Sequence, residues 1–232
     1  IKDGKIIKTG YIADIRANRT IDAKGLLVAP GFIDVHGHIE GGIITTPTAN
    51  NYIFDGVTTV VTGNCGGSAD NIGSFLREVN KVGPSINVAS LIGHNTVRAQ
   101  VMNRDDRKPT VQEQQKMDAL VDQAMKEGAV GLSTGLIYIP GTYAETEEVI
   151  ALAKAAAKNK GVYASHIRNE ENQAVEAVNE AINIGKEASI PVQISHFKIG
   201  GRSNWGKSDI TLNLVKEARE NGWDVTIDQY PY

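Results

Sequence analysis

The stretch of sequence that decides the fold is GVYASHIRNEENQAVEAVNEAINIGKEASIPVQISH, residues 161–196. It begins and ends with a short apolar run that stops at a histidine, first at His166 and then at His196. Between the two runs, amphipathic spacing predicts a helix over 172–187. A strand, a helix and a second strand whose ends lie 30 residues apart form the βα repeat of a parallel sheet.

The same repeat covers most of the 232 residues. Capping-box residues Thr110 and Glu113 open another predicted helix, and amphipathic spacing predicts two more over 147–158 and 210–221. Strand-like runs end at steps of 29, 29, 40, 32, 30 and 32 residues, at His36, Cys65, His94, Thr134, His166, His196 and Asp228. Seven βα units favour an α/β fold of the (β/α)8 TIM-barrel type over an open sheet. Barrel closure needs an eighth strand, which we expect beyond Tyr232, so residues 29–232 are predicted to be a C-terminally incomplete barrel.

The first 28 residues follow a different pattern. A turn at Asp3-Gly4 is predicted between two short strands, and a second strand pair is predicted through Ile21 and residues 26–28. The segment is too short to bury a core of its own. We therefore expect residues 1–28 to be part of a small β-sandwich domain.

Composition excludes several classes of protein. Hydrophobic residues make up 41% and charged residues 22% of the chain, and the formal net charge is −3. This balance is typical of a globular protein and provides no basic field for nucleic acid or a membrane surface. No apolar run has the ~20 residues of a transmembrane helix, and no signal-peptide pattern follows Ile1. A single cysteine excludes an internal disulfide framework, and we expect a cytoplasmic protein.

Metal-ligating residue types are concentrated where the active sites of such barrels lie, at the carboxyl ends of the strands. All five histidines and the single cysteine fall there: His36, His38, Cys65, His94, His166 and His196. His36 and His38 project to the same side of a strand end and can share one metal, and Cys65, His166 and His196 can form a second site. Imidazole and thiolate suit zinc, and the thiolate could also bridge two ions. Each residue alone could instead be structural, and His94 could lie behind the ligands or contact substrate.

Several motifs resemble one known family. They are Ala29-Pro-Gly-Phe-Ile-Asp-Val-His-Gly-His38, Gly56-Val-Thr-Thr-Val-Val-Thr-Gly-Asn-Cys-Gly66, Gly93-His-Asn-Thr-Val-Arg98, Gly131-Leu-Ser-Thr-Gly-Leu-Ile-Tyr138, Ser165-His-Ile-Arg168 and Ser195-His-Phe-Lys198. Together they resemble the N-acyl-D-amino-acid deacylases (D-aminoacylases) of the amidohydrolase superfamily. The similarity covers the whole chain. The family fold is a metal-dependent hydrolase barrel beside a small β domain.

The resemblance implies a zinc-dependent hydrolase with one or two ions. His36 and His38 match one metal site, His166 and His196 match the other, and Cys65 matches the family's cysteine ligand. Hydroxide bound to the metal would attack the amide of an N-acyl-D-amino acid and release a carboxylate and a free D-amino acid. Residues 128–141 contain no lysine, which argues against a dihydroorotase-like site with a carboxylated lysine.

The remaining site residues implied by the resemblance are less fully specified. Tyr138 would help to stabilise the oxyanion, and Lys198 or Arg168 would bind the substrate carboxylate, with His94 a further substrate contact. The catalytic aspartate of strand eight has no counterpart up to Tyr232. Asp228 ends strand seven, and we expect it to be a hydrogen-bond anchor rather than a catalytic group.

Two other functions compete with this interpretation. Residues 201–208, Gly-Arg-Ser-Asn-Trp-Gly-Lys-Ser, match the phosphate-binding loop pattern between a strand and a helix, and Asp228 could imitate its magnesium-binding carboxylate. That hypothesis of a nucleotide-binding protein leaves the strand-end histidines without a role. A non-catalytic, metal-binding barrel of amidohydrolase type is the third possibility. The expected partner is a small-molecule substrate, with no nucleic acid and no membrane.

Overall fold

The computed structural model describes residues 1–12 and 16–230, and the chain divides into two compact units, Ile1–Pro30 and Gly31–Tyr232. In the first unit, Lys2 and Lys5 exchange backbone hydrogen bonds of 2.9 and 3.0 Å across the predicted turn. Asp3 and Gly4 both have positive φ, 50° and 71°, as in a type I′ turn. The predicted strand pair through Ile21 and residues 26–28 does not form in the described part of this unit. The apolar side chains of these residues are exposed, so no packing against a neighbouring strand stabilises the pair.

The second unit contains the predicted parallel α/β fold. Its strand segments pair in sequence order as β1-β2-β3 and β4-β5-β6-β7-β8, and every pair is parallel. They are β1 (Phe32–Asp34), β2 (Val57–Thr62), β3 (Asn87–Ser90), β4 (Ile92–Gly93), β5 (Gly131–Gly135), β6 (Val162–His166), β7 (Val192–Ile194) and β8 (Val225–Ile227). β3 and β4 are one barrel strand interrupted at Leu91, whose N–H donates to the Thr62 carbonyl. The seven predicted strands are therefore confirmed.

The strands curve as a barrel requires. Neighbouring strands lie about 4.8 Å apart, so a flat sheet would place β1 about 29 Å from β8. Instead, Nδ1 of His36, after β1, lies 3.4 Å from Oδ2 of Asp228, after β8. The first and last of these strands thus point their carboxyl ends into the same space.

Helices connect the strands and cover the outside of the unit. Those with bounds in the described residues are α1 (Gly42–Thr45), α2 (Asn50–Ile53), α3 (Ile72–Val82), α4 (His94–Met102), α5 (Val111–Lys126), α6 (Thr146–Ala157), α7 (Ala174–Ala188) and α8 (Ser208–Glu220). The capping box of Thr110 and Glu113 forms as predicted at the start of α5. The largest apolar core lies between α4–α8 and the five-stranded sheet, and it contains the fully buried Leu132, Leu152 and Ile194. Within residues 1–12 and 16–230, no helix has the length and apolar character needed to span a bilayer.

Candidate metal centre

The carboxyl ends of three strands bring Cys65, His36 and His196 together. Sγ of Cys65 lies 3.3 Å from Nε2 of His36 and 3.8 Å from Nε2 of His196. In a tetrahedral zinc site with Zn–S and Zn–N bonds of about 2.3 and 2.05 Å, sulfur and nitrogen ligands are about 3.6 Å apart. The two observed distances fall on either side of that value. The ligand atoms of all three side chains lie within 4.8 Å of one another, so these residues are close enough to hold one zinc ion.

His166 adds a second reason to place a metal here. It ends β6, its side chain is 6% exposed, and its ring centroid is 4.4 Å from that of His196. Both of its ring nitrogens are buried and, within the described residues, neither has a hydrogen-bond partner. Buried polar atoms without partners are rare because desolvation costs about 1–3 kcal/mol each. A bound ion would satisfy one of these nitrogens.

His38 is the remaining predicted ligand. Its ring centroid is 5.4 Å from that of His36, and its side chain is exposed. The structure thus joins His36 to Cys65 and His196 more closely than to His38. A separate ion shared by His36 and His38 stays a prediction.

The backbone at two of these residues is strained. Cys65 has φ 53° and His196 has φ 34°, in the left-handed region that residues with a Cβ rarely adopt. Such conformations cost about 1–3 kcal/mol and are concentrated at functional sites. The Cys65 loop also packs tightly on β5, where a Cβ at Gly135 would lie 2.1 Å from the Cys65 carbonyl oxygen. Glycine at 135 is what allows this close approach.

The charges within the cluster stabilise one another. Burial raises the pKa of the Cys65 thiol, but interactions with the surrounding imidazoles of His166, His196, His36 and His38 outweigh burial and lower it to about 3. Burial likewise lowers the pKa of His36 and of His196, yet contacts with Asp228, Cys65 and Glu170 raise both values to about 9. The metal-free cluster therefore holds a thiolate among imidazolium groups, and thiolate is the form that binds metal.

We expect this thiolate to be visible in the metal-free chain. Thiolate absorbance at 240 nm should persist from pH 8 down to about pH 4 in the folded state, and appear only near the ordinary thiol pKa after unfolding. The thiol pKa of Cys65 is lower in the folded chain than in the unfolded chain. Ionisation of Cys65 therefore stabilises the fold at pH values above the thiol pKa of the unfolded chain. This stabilisation is lost as pH falls through about 3. The Cys65→Ala variant supplies the baseline, and absorbance that appears with a midpoint of pH 8–9 in the folded chain would contradict the assignment.

Glu170 also belongs to the cluster, although it is not among the residues predicted from the sequence. Its Oε1 lies 2.9 Å from Nδ1 of His196, 2.7 Å from Nζ of Lys198 and 3.9 Å from Nε2 of His166. Burial raises the pKa of this carboxyl, but the hydrogen bonds of His196 and Lys198 lower it to about 2. The signal that could have identified it is its position four residues after a strand-end histidine, within reach of the next strand's loop.

Two predicted substrate contacts lie elsewhere. Arg168 donates to Glu180 at 2.8 and 2.9 Å and to the carbonyls of Thr142 and Ala144, so its guanidinium holds a loop to α7. His94 is fully buried, and its Nε2 lies 2.8 Å from Oε1 of Glu148 on α6. The structure does not bring either side chain into the cluster, because each is held by a carboxylate on an outer helix.

Tyr138 and Asp228 do border the cluster. The Tyr138 ring lies 4.7 Å from that of His166 and is half exposed. Asp228 accepts hydrogen bonds from the His196 backbone N–H at 2.5 Å and from Gln193 at 3.1 Å, and it faces His36. These contacts give Asp228 the anchoring position that was expected for it.

The stretch 201–208 that resembles a phosphate-binding loop forms a 3₁₀ turn at Arg202–Asn204 followed by the start of α8. Lys207, which would bind phosphate in that motif, donates to Oδ1 of Asn204 at 2.8 Å. Arg202 stacks over the Trp205 ring at 5.9 Å. Both cations of the stretch thus have contacts within it.

Known proteins resemble this chain along its whole length. Residues 19–228 match the family described as "Amidohydrolase family". The chain belongs to the amidohydrolase family. Among its relatives, the D-aminoacylase of Alcaligenes xylosoxydans xylosoxydans is 36% identical over the whole chain and 52% of its own length, and that organism's N-acyl-D-glutamate deacylase is 35% identical over the same shares. This amidohydrolase chain therefore spans about half the length of these curated relatives.

A solved structure agrees at the level of the fold. The N-acyl-D-glutamate deacylase of Bordetella bronchiseptica, complexed with zinc and a phosphonate inhibitor that mimics the tetrahedral intermediate, superposes with a TM-score of 0.83. The match has 38% identity and covers 88% of this amidohydrolase and 48% of that chain. The barrel architecture predicted from the βα repeat is thus confirmed.

Proposed function

We propose that this amidohydrolase is a zinc-dependent enzyme that hydrolyses the amide bond of N-acyl-D-amino acids to a carboxylate and a free D-amino acid. The observation that carries the proposal is the cluster of Cys65, His36 and His196, with the unpartnered nitrogens of His166 beside it. Relatives named D-aminoacylase and N-acyl-D-glutamate deacylase support the substrate class. A relative with bound zinc and a tetrahedral mimic supports the reaction type.

The protein side chains fit the metal by type and by spacing. We propose that Cys65 and His196 are ligands of one ion, together with His36 or His166. When two ions bind, we propose that His38 is a ligand of the second ion. When bound, zinc polarises the acyl carbonyl and lowers the pKa of a bound water to about 7. The protein orients its ligands from four different strand ends, so the metal environment is fixed by the barrel itself.

Two side chains beside the cluster suit the substrate. Burial raises the pKa of Tyr138, as do the negative charges of Cys65 and Glu170, so its hydroxyl stays protonated and can donate a hydrogen bond to a developing oxyanion. Nζ of Lys198 lies 2.7 Å from Oε1 of Glu170, and the Lys198 side chain is one-third exposed, so it presents a positive charge next to the metal ligands. We propose that Lys198, and not the loop-bound Arg168, receives the substrate carboxylate.

The decisive experiment is hydrolysis of paired N-acetyl-D- and N-acetyl-L-amino acids by the zinc-loaded natural gene product. We expect turnover in the D series only, and loss of turnover when zinc is removed and its return when zinc is restored. The catalytically silent alternative predicts bound zinc with no turnover of either series. Equal turnover of the L series would contradict the proposed stereochemistry while leaving amide hydrolysis intact.

Two further proposals concern the rest of the protein. We propose that residues 1–28 are part of a small β-sandwich domain and that the barrel begins at residue 29, because the first unit exposes many apolar side chains, including Tyr11, Leu27 and Val28. We also propose a cytoplasmic location, because a reducing compartment keeps Cys65 available as a thiolate. Cell fractionation with detection of the protein tests the location.

A further inference from the structure

We infer that Glu170 is a positioning residue that fixes the ring of His196 for metal binding and holds Lys198 beside it through a single oxygen atom. Oε1 of Glu170 accepts from Nδ1 of His196 at 2.9 Å and from Nζ of Lys198 at 2.7 Å. The inference rests on the proposed function only in that a metal is bound and that Lys198 faces substrate.

Glu170 determines the tautomer of His196. A carboxylate accepts hydrogen bonds and cannot donate them, so its contact with Nδ1 places the proton on that nitrogen. In the neutral ring, which is the form that binds metal, Nε2 then carries the lone pair, and Nε2 is the nitrogen that faces Sγ of Cys65 at 3.8 Å. Histidine ligands of metals commonly donate their other ring N–H to a carboxylate, which orients the ring and makes it a stronger ligand. Glu170 supplies that carboxylate.

Hydrogen bonds of its own loop hold Glu170 in position. Its backbone carbonyl accepts a hydrogen bond of 2.7 Å from the N–H of Gly200, so the loop after β6 is attached to the loop after β7. The side chain of the preceding residue, Asn169, accepts from the N–H groups of Glu171 and Gln173 and closes the local turn. The carboxylate therefore has a fixed position from which it can orient groups on the next strand's loop.

The carboxylate of Glu170 also holds Lys198 beside His196. Nζ of Lys198 lies 3.3 Å from Nδ1 of His196 and 5.8 Å from the ring centroid of Tyr230. Without an anion beside them, the ammonium and the imidazole would repel each other whenever the ring is charged. The shared oxygen removes this repulsion, so the metal ligand and the substrate-facing cation keep their positions together.

The test measures zinc affinity of the natural gene product by competition with a chromophoric chelator, for the wild type, Glu170→Ala and Glu170→Gln. We expect the alanine variant to bind zinc 10–100-fold more weakly, with unchanged stoichiometry at saturating zinc. The glutamine variant should recover most of the loss, because its amide oxygen still accepts from Nδ1 of His196. Glu171→Gln is the matched control, since it removes the same charge from an exposed neighbour in the same loop.

Two results would overturn the inference. One is a Glu170→Ala variant whose zinc affinity is within twofold of the wild type. The other is a variant that loses a whole equivalent of zinc even at saturation, which would make Glu170 a ligand of the ion rather than a positioning residue. Both results are read from metal binding alone, so failure of the inference is distinguishable from absence of N-acyl-D-amino acid hydrolysis in the wild type.

Discussion

The Cys65→Ala variant of the natural gene product is expected to lose bound zinc and to hydrolyse an N-acyl-D-amino acid about 10³-fold more slowly, a loss of about 4 kcal/mol in transition-state stabilisation. The physical reason is the position of Sγ between Nε2 of His36 and Nε2 of His196, at 3.3 and 3.8 Å. Removing the sulfur leaves those two imidazoles without the anion that offsets the charge of the ion. Zinc content by elemental analysis and kcat/KM at saturating zinc measure the two effects.

Cys65→Ser is the matched variant for this experiment, because it keeps the shape of the side chain and replaces the ionisable thiol with a hydroxyl. We expect it to behave like the alanine variant at neutral pH, since a serine hydroxyl does not ionise there. Thermal unfolding of the metal-free proteins shows whether either substitution disturbs the fold. Full zinc content together with a rate within twofold of the wild type would exclude Cys65 as a ligand.

The ligand cluster could be predicted from the sequence because it follows from periodicity. Each βα unit places the end of its strand at the same edge, so a histidine or cysteine that recurs at strand ends is brought to one space by the fold itself. His36, Cys65, His166 and His196 obey this rule, and the structure places them within a few ångströms of one another. Local strain at Cys65 and the interruption of the third strand at Leu91 have no periodic signal, so neither was predictable.

Two of the four predicted substrate contacts lie outside the cluster because of partners that the sequence does not indicate. Arg168 and His94 both lie near strand ends, but Glu180 on α7 and Glu148 on α6 bind them, and no spacing in the sequence indicates those pairs. Glu170 was missed because it lies in the polar run 168–173, which has the composition of an ordinary solvated loop. The one signal that the sequence offers is its position four residues after His166, and the contact with His196 is visible only in the tertiary structure.

Glu148 on α6 also forms a buried polar cluster with His94 and Arg98 of α4. Its carboxylate lies 2.8 Å from Nε2 of His94 and 3.4 Å from Nη1 of Arg98, and all three side chains are almost completely buried. Arg98 additionally donates to backbone carbonyls of the two loops that flank it, at Pro140, Asp105 and Arg107. One guanidinium thus satisfies a buried carboxylate and three carbonyl oxygens, and it attaches α4 to the loop that carries Tyr138.

Arg98→Ala is therefore expected to reduce the free energy of unfolding by about 3–5 kcal/mol, because it leaves the charge of Glu148 buried beside unsatisfied carbonyls. Urea titration followed by circular dichroism measures the change. Arg107→Ala is the control of the same residue type, since its ion pairs with Asp105 and Glu113 are solvent-exposed and its removal should move the urea midpoint far less. Adding Glu148→Gln to Arg98→Ala should restore part of the lost stability, because a neutral amide needs no buried cation. If the double variant is instead less stable than Arg98→Ala alone, the unpaired charge is not the source of the loss.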